Sequence, residues 1–185
     1  LKAKVYLDRE GPGIAARVLF CYGAYETDPF QPDATMPAYL LRDASGEREI
    51  MDLLGRYGFR ARTGRADLQD DDRIFDFLMQ GVSAMHRLAE VYLSQAFRQL
   101  TPRAPSLSGH MRMKAGSIRL ELMDEGNLID EILPLLQAIG RQKKYFRYKN
   151  GAFITLQDAS EWQALADAYI HSVVEPDERD LPAMR

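Results

Sequence analysis

The sequence lacks every short motif that would carry catalysis on its own. There is no GxxxxGK(S/T) phosphate loop, no HExxH, no CxxC pair and no GxSxG elbow. The single cysteine, Cys21, excludes an internal disulfide and fits a reducing, cytoplasmic setting. It sits in an apolar strand-like run, where a small buried side chain is expected rather than a reactive thiol. No apolar run approaches the roughly 18 residues of a membrane span, so no membrane partner is expected. His86, His110 and His171 lie far apart in unrelated contexts, and with one cysteine they offer no metal-ligand spacing. Net charge is −3, whereas a domain that binds nucleic acid over its whole surface is usually basic.

What is present is a well-patterned globular chain. At 185 residues and 46% hydrophobic, it can bury roughly 70% of its unfolded surface, which excludes disorder. It opens at Leu1 in a strand pattern and ends in Glu175-Pro176-Asp177-Glu178-Arg179-Asp180-Leu181-Pro182, a polar run that reads as a linker. The expectation is a module of a longer protein whose activity resides elsewhere.

Ala3–Leu7 and Ile14–Tyr25 read as strands around the turn cluster Glu10-Gly11-Pro12-Gly13. Tyr39–Arg42 reads as a third short strand. A helix is expected from Ser45 or Gly46, because Ile50, Leu53, Leu54 and Tyr57 share one face, and Gly58 is placed to end it. Glu47 and Glu49 set negative charge against its dipole. Asp70-Asp71-Asp72 reads as an N-cap and acidic first turn rather than a metal site, since neighbouring helical residues point in different directions. Gly81 is expected to separate that helix from Val82, Met85 and Leu88.

Val91-Tyr92-Leu93 is strand-like, and Thr101-Pro102-Arg103-Ala104-Pro105 is the best internal boundary. Beyond it the period becomes two. Met111 and Met113, then Ile118, Leu120 and Leu122, form a hairpin turned by Lys114-Ala115-Gly116, with one face in solvent. Leu128 to Ile139 reads as a helical stripe with a kink or a helix restart at Pro134. Asn150-Gly151 turns a second hairpin. Asp158-Ala159-Ser160-Glu161 caps a last helix with Trp162, Leu165, Ala166, Tyr169 and Ile170 inward. Hairpins mixed with helices, without regular β-α alternation, predict an α+β fold of antiparallel sheet packed with several helices.

Two segments invite a chemical reading. Ile118–Asp124 with Glu125-Gly126 resembles the acidic magnesium box of NTPases. However, Arg119 and Glu121 alternate with its apolar residues, whereas the NTPase strand is buried on both faces. It therefore reads as a strand end. Arg141, Lys143, Lys144, Arg147 and Lys149 cluster with Tyr145, Phe146 and Tyr148. Cations contact phosphates and aromatics stack on unpaired bases, so these five cations are the candidate nucleic-acid-binding residues. Against this stands a simpler arrangement, with cations on a helix end and hairpin face and the aromatics in the core. In strand geometry Lys144, Phe146 and Tyr148 share one side, and Tyr145, Arg147 and Lys149 the other. No residue is assigned a catalytic or metal-binding role.

An ordered set of segments then gives a resemblance. It comprises Lys4-Val5-Tyr6-Leu7-Asp8 with Ile14-Ala15-Ala16-Arg17-Val18, Tyr22-Gly23 with Asp28-Pro29-Phe30, and Arg42-Asp43 with Glu47-Arg48-Glu49-Ile50. It continues through Leu54, Tyr57-Gly58-Phe59 and Phe77-Leu78 to Lys143-Lys144-Tyr145-Phe146-Arg147-Tyr148, Asn150-Gly151 and Phe153. In these the chain resembles the bacterial Swi/Snf helicase-associated domain, which precedes the ATPase core of bacterial helicase-like proteins. The resemblance implies an accessory domain over residues 1–174, with a sub-boundary near 101–105, and a linker over 175–185 leading to a C-terminal ATPase core. It implies no catalytic residue and no cofactor here, with ATP and magnesium belonging to the motor. The motor core is the expected partner, and DNA is reached through the parent protein, in the cytoplasm or on the nucleoid. An autonomous nucleic-acid-binding module using residues 141–149 is the alternative.

Overall fold

The computed structural model describes residues 1–31, 37, 40–114, 117–125, 127–157, 162–164 and 166–167. The fold is α+β and divides into two compact units, Leu1–Pro102 and Arg103–Arg185.

In the first unit, β1 (Lys2–Glu10) and β2 (Gly13–Tyr22) pair antiparallel from Lys2↔Cys21 to Glu10↔Gly13. Gly11, at φ +58°, makes the turn, a conformation that glycine adopts without steric penalty. Period-two alternation sends Ala3, Val5, Leu7, Val18 and Phe20 inward. The same alternation puts Cys21 on the other face. It is half-buried rather than in the core, with its thiol 3.4 Å from Glu26 Oε1, and burial followed by the Glu26 contact pushes its pKa up. β3 (Tyr25–Thr27) folds back on β2. Leu40–Arg42 is not a strand; the Arg42 side chain is instead engaged with Glu47, and Tyr39 lies outside the described residues.

Helix α1 (Ala44–Tyr57) starts where the Asp43 carboxylate accepts from Gly46 N–H, and it buries Ile50, Leu53 and Leu54. It closes with a Schellman motif: Phe59 N–H donates to Leu54 O and Gly58 N–H to Gly55 O, with Gly58 at φ +84°. A short hairpin follows, β4 (Arg60–Arg62) and β5 (Arg65–Leu68), giving a sheet in the order β4-β5-β2-β1-β6 with β3 on β2. Nothing in the sequence pattern announced β4, because all three of its residues are exposed.

Helix α2 (Asp71–Asp76) is capped by Asp70, whose carboxylate accepts from Arg73 N–H, with Asp71 and Asp72 in the first turn. Gly81 does not break the path. The chain winds through a π-turn at Phe77–Gly81 into α3 (Val82–His86). The Phe77 ring lies over Gly81, where an added Cβ would sit 2.2 Å from it, so the glycine admits an aromatic ring to the core rather than ending a helix. β6 (Glu90–Leu93) then joins β1 in parallel, and α4 (Gln95–Arg98) follows.

In the second unit, β7 (Leu107–Lys114) and β8 (Ser117–Asp124) form the long hairpin, and β9 (Asn127–Leu128) adds to β8. Ala115 and Gly116, expected in its turn, lie outside the described residues. Leu128 is thus strand, and α5 begins only at Ile132, running to Gly140. Pro134 falls in the first turn of α5, where N–H groups have no intrahelical acceptor, so no kink results. β10 (Tyr145–Arg147) and β11 (Phe153–Thr155) pair across the Asn150-Gly151 turn, with Gly151 at φ +92°. Leu122, Leu135, Leu136, Ile139, Ile154 and Ala166 form the core, and Trp162 packs against it. Asp158–Glu161, Leu165, Tyr169, Ile170, His171 and residues 175–185 lie outside the described residues. Among those described, no helix is long and apolar enough to cross a membrane.

Candidate functional site

The candidate cations lie along the path from α5 through the second hairpin, and its local geometry is unusual. α5 ends in a Schellman motif like that of α1, with Lys143 N–H donating to Ala138 O and Gln142 N–H to Ile139 O. Its left-handed residue, however, is Gln142 at φ +52°, where an L side chain costs about 1–2 kcal/mol. This strained corner turns the chain out of the helix and delivers Lys143 and Lys144 to β10. Arg141, Lys143, Lys144 and Lys149 are exposed, and Arg147 is half-buried.

The stripe divides by environment. Arg141, Lys143 and Lys144 surround the carbonyl end of α5, where positive charge is favoured. Arg147 lies over the Phe153 ring, its guanidinium carbon 4.8 Å from the centroid, a cation–π arrangement. Lys149 is in the turn beyond β10, a strand that alone spans about 10 Å. Lys149 N–H donates to Glu131 Oε1, and Asp124, Asp130 and Glu131 line the same cavity of about 420 Å³. With Arg103 and Lys149 as its basic groups, that cavity holds three acids against two bases and does not favour phosphate.

The aromatics are not a stacking platform. Phe146 is buried. Tyr148 meets it edge-on at 5.3 Å, and its hydroxyl donates to Asp124 Oδ2 at 2.8 Å. Burial, then this bond, pushes the Tyr148 pKa well up.

Asp124 is the polar centre of the unit. Its carboxylate, 5% exposed, accepts from Arg103 Nη1 at 3.1 Å, Arg103 Nη2 at 2.6 Å, Ser106 N–H at 3.0 Å and the Tyr148 hydroxyl. Burial alone would raise its pKa; Arg103, Ser106 and Tyr148 together outweigh that and hold it below the usual carboxylate range. The Arg103 backbone is also tied to β11, accepting from Thr155 N–H and donating to Phe153 O. Both Asp124 oxygens are therefore engaged by protein donors and do not fit a magnesium or nucleotide-phosphate role. The sequence placed Asp124 at a strand end but gave no sign of its partners, which lie 21 and 24 residues away. His86 ends α3 and His110 lies in β7. Among the described residues, no three His, Cys, Asp or Glu side chains converge as a metal site.

No curated protein and no solved structure matches the chain. The family model for bacterial SNF2 helicase associated proteins matches residues 1–181, essentially the whole length. The chain belongs to that family and is a helicase-associated accessory domain of bacterial SNF2 proteins.

Proposed function

We propose that this domain is a non-catalytic partner of a SNF2-type ATPase core in the same polypeptide, and that it supports the motor's engagement with DNA. ATP and magnesium then belong to the motor, and the protein works in the cytoplasm on the nucleoid. The family match carries the reading. The exposed cations Arg141, Lys143 and Lys144 support it, being held at a strained helix end that fixes their position. A backbone outlier in a sparsely populated region often marks a functional segment.

A triple substitution R141A/K143A/K144A in the full SNF2 protein tests this. The duplex concentration that half-stimulates ATP hydrolysis is expected to rise, with hydrolysis in the absence of DNA unchanged. An unaltered response to duplex would remove these residues from the function. Autonomous nucleic-acid binding through residues 141–149 is the weaker reading, because the aromatics of that segment are committed to packing.

A further inference from the structure

The first unit carries a second cationic site. Between Asp52 and Asp67 the chain has four arginines and no acid: Arg56, Arg60, Arg62 and Arg65. β4 places Arg60 and Arg62 two residues apart, so they share one face of an edge strand. Arg73 of α2 comes across to join them. These three arginines line a cleft of about 360 Å³, together with Gly58, Asp67 and Asp70.

The two acids do not neutralise the cleft. Asp67 is buried and shared by Arg62 Nε at 3.0 Å and Arg65 Nε at 2.9 Å. The Asp70 carboxylate accepts from the Arg73 backbone N–H as the cap of α2 and keeps its charge, so three guanidinium groups face two carboxylates in the cleft. Among the described residues, Arg60 and Arg73 have no ion-pair partner. Both side chains are exposed, so two guanidinium groups without an ion-pair partner line one concavity that an anion can enter. The Arg73 side chain is also pre-placed: it lies on Gly58, where an added Cβ would sit 1.9 Å from Nη1. That sets it at the carbonyl end of α1, which attracts positive charge. A planar guanidinium held in this way presents a donor fork suited to phosphate oxygens.

We infer that this cleft binds the phosphodiester backbone of nucleic acid, with Arg60 and Arg73 contacting phosphate and Arg62 fixed beside them by Asp67. The inference rests on the proposal that the domain works at DNA, but it uses a different unit and different residues from the Arg141–Lys149 stripe. It also fits the modest overall charge, because a local cluster needs no basic surface elsewhere.

The test is fluorescence anisotropy of the 185-residue chain with a labelled duplex, titrated at 50 and 200 mM salt, with inorganic phosphate as a second ligand followed at the arginine side-chain NMR signals. Each phosphate contact contributes about 0.9 to the slope of log affinity against log salt. R60A/R73A is therefore expected to flatten the slope by about 1.8. On this account, salt weakens the unaltered chain about 12-fold more than the variant over that range. R60K/R73K keeps both charges and is expected to keep the slope. An unchanged slope in R60A/R73A overturns the assignment, as does an equal loss in R60K/R73K, which would mark a folding defect. Phosphate shifting the Arg60 and Arg73 signals while duplex does not bind also overturns it, since the cleft would then take free anions. The R141A/K143A/K144A effect on ATP hydrolysis is read separately, so either idea can fail alone.

Discussion

Both units clamp a carboxylate with one arginine and one tyrosine, but the two clasps join different numbers of segments. In the first, Glu47 receives the Tyr22 hydroxyl at 2.6 Å and the Arg42 guanidinium, and Tyr22 also accepts from Asp43 N–H. In the second, Asp124 receives Tyr148, both Arg103 Nη groups and Ser106 N–H. Arg42 is 5 residues from Glu47 and Tyr22 is 25 residues away at the end of β2, so that clasp ties two segments, the entry to α1 and the sheet. Arg103 and Tyr148 lie 21 and 24 residues from Asp124, so that clasp closes three segments of the second unit on one another. The same chemistry joins two segments in one case and three in the other. The helix ends make a second pair: α1 closes on Gly58 and α5 on Gln142, with the same hydrogen bonds but strain only in the latter.

Removal of the two carboxylates carries the largest expected effects. Asp124→Ala is expected to destabilise the second unit by about 3 kcal/mol, as removal of one partner of a buried ion pair does. Trp162, the one tryptophan, packs on that unit's core, so its fluorescence in a urea titration reports the loss. Glu47→Ala is expected to cost about 1–2 kcal/mol, its arginine being half-exposed, with faster amide exchange at the start of α1 and the Tyr22 end of β2. Equal losses, or a global loss for Glu47→Ala, would erase the distinction.

Acid should act on both clasps in the same direction. Burial raises each carboxyl and its donors more than compensate, so both Glu47 and Asp124 have lowered pKa values. A depressed carboxyl contributes stability above its unfolded pKa of about 4, and this is lost as pH falls through the folded value. Asp124→Asn is expected to flatten the fall of the Trp162-monitored urea midpoint below pH 4; a curve parallel to that of the unaltered chain would contradict the pairing.

The helix ends call for smaller, opposite effects. Gly58→Ala forces a left-handed alanine and displaces Arg73, for a loss of about 1–2 kcal/mol. Gln142→Gly relieves the strain at φ +52°, for a gain of about 0.5–1 kcal/mol after the entropy cost of glycine. Thermal denaturation of each variant reads both. Stabilisation by Gly58→Ala, or destabilisation by Gln142→Gly, would refute the cap assignments. Smallest of all, K143A/K144A is expected to change stability by no more than about 0.5 kcal/mol, separating any effect on DNA from one on folding.

The sequence was most readable where local chemistry decides the structure. The β1–β2 turn, the Asp70 cap, the Gly58 stop and the Asn150-Gly151 hairpin each announce themselves within a few residues. It was least readable where tertiary contact decides. β4 has no buried residue to set a period, and Gly81 looked like a breaker because its partner, the Phe77 ring, is visible only in three dimensions. Among the site residues, the cations stood out as a run of one sign. The commitment of Tyr148 to Asp124 could not, since nothing near either residue records a partner 24 positions away.

The most direct test of the account is to delete residues 1–185 from the parent SNF2 protein and measure ATP hydrolysis across a range of duplex concentrations. Hydrolysis without DNA is expected to persist while half-maximal stimulation requires several-fold more duplex. An identical duplex response with and without the domain would contradict it.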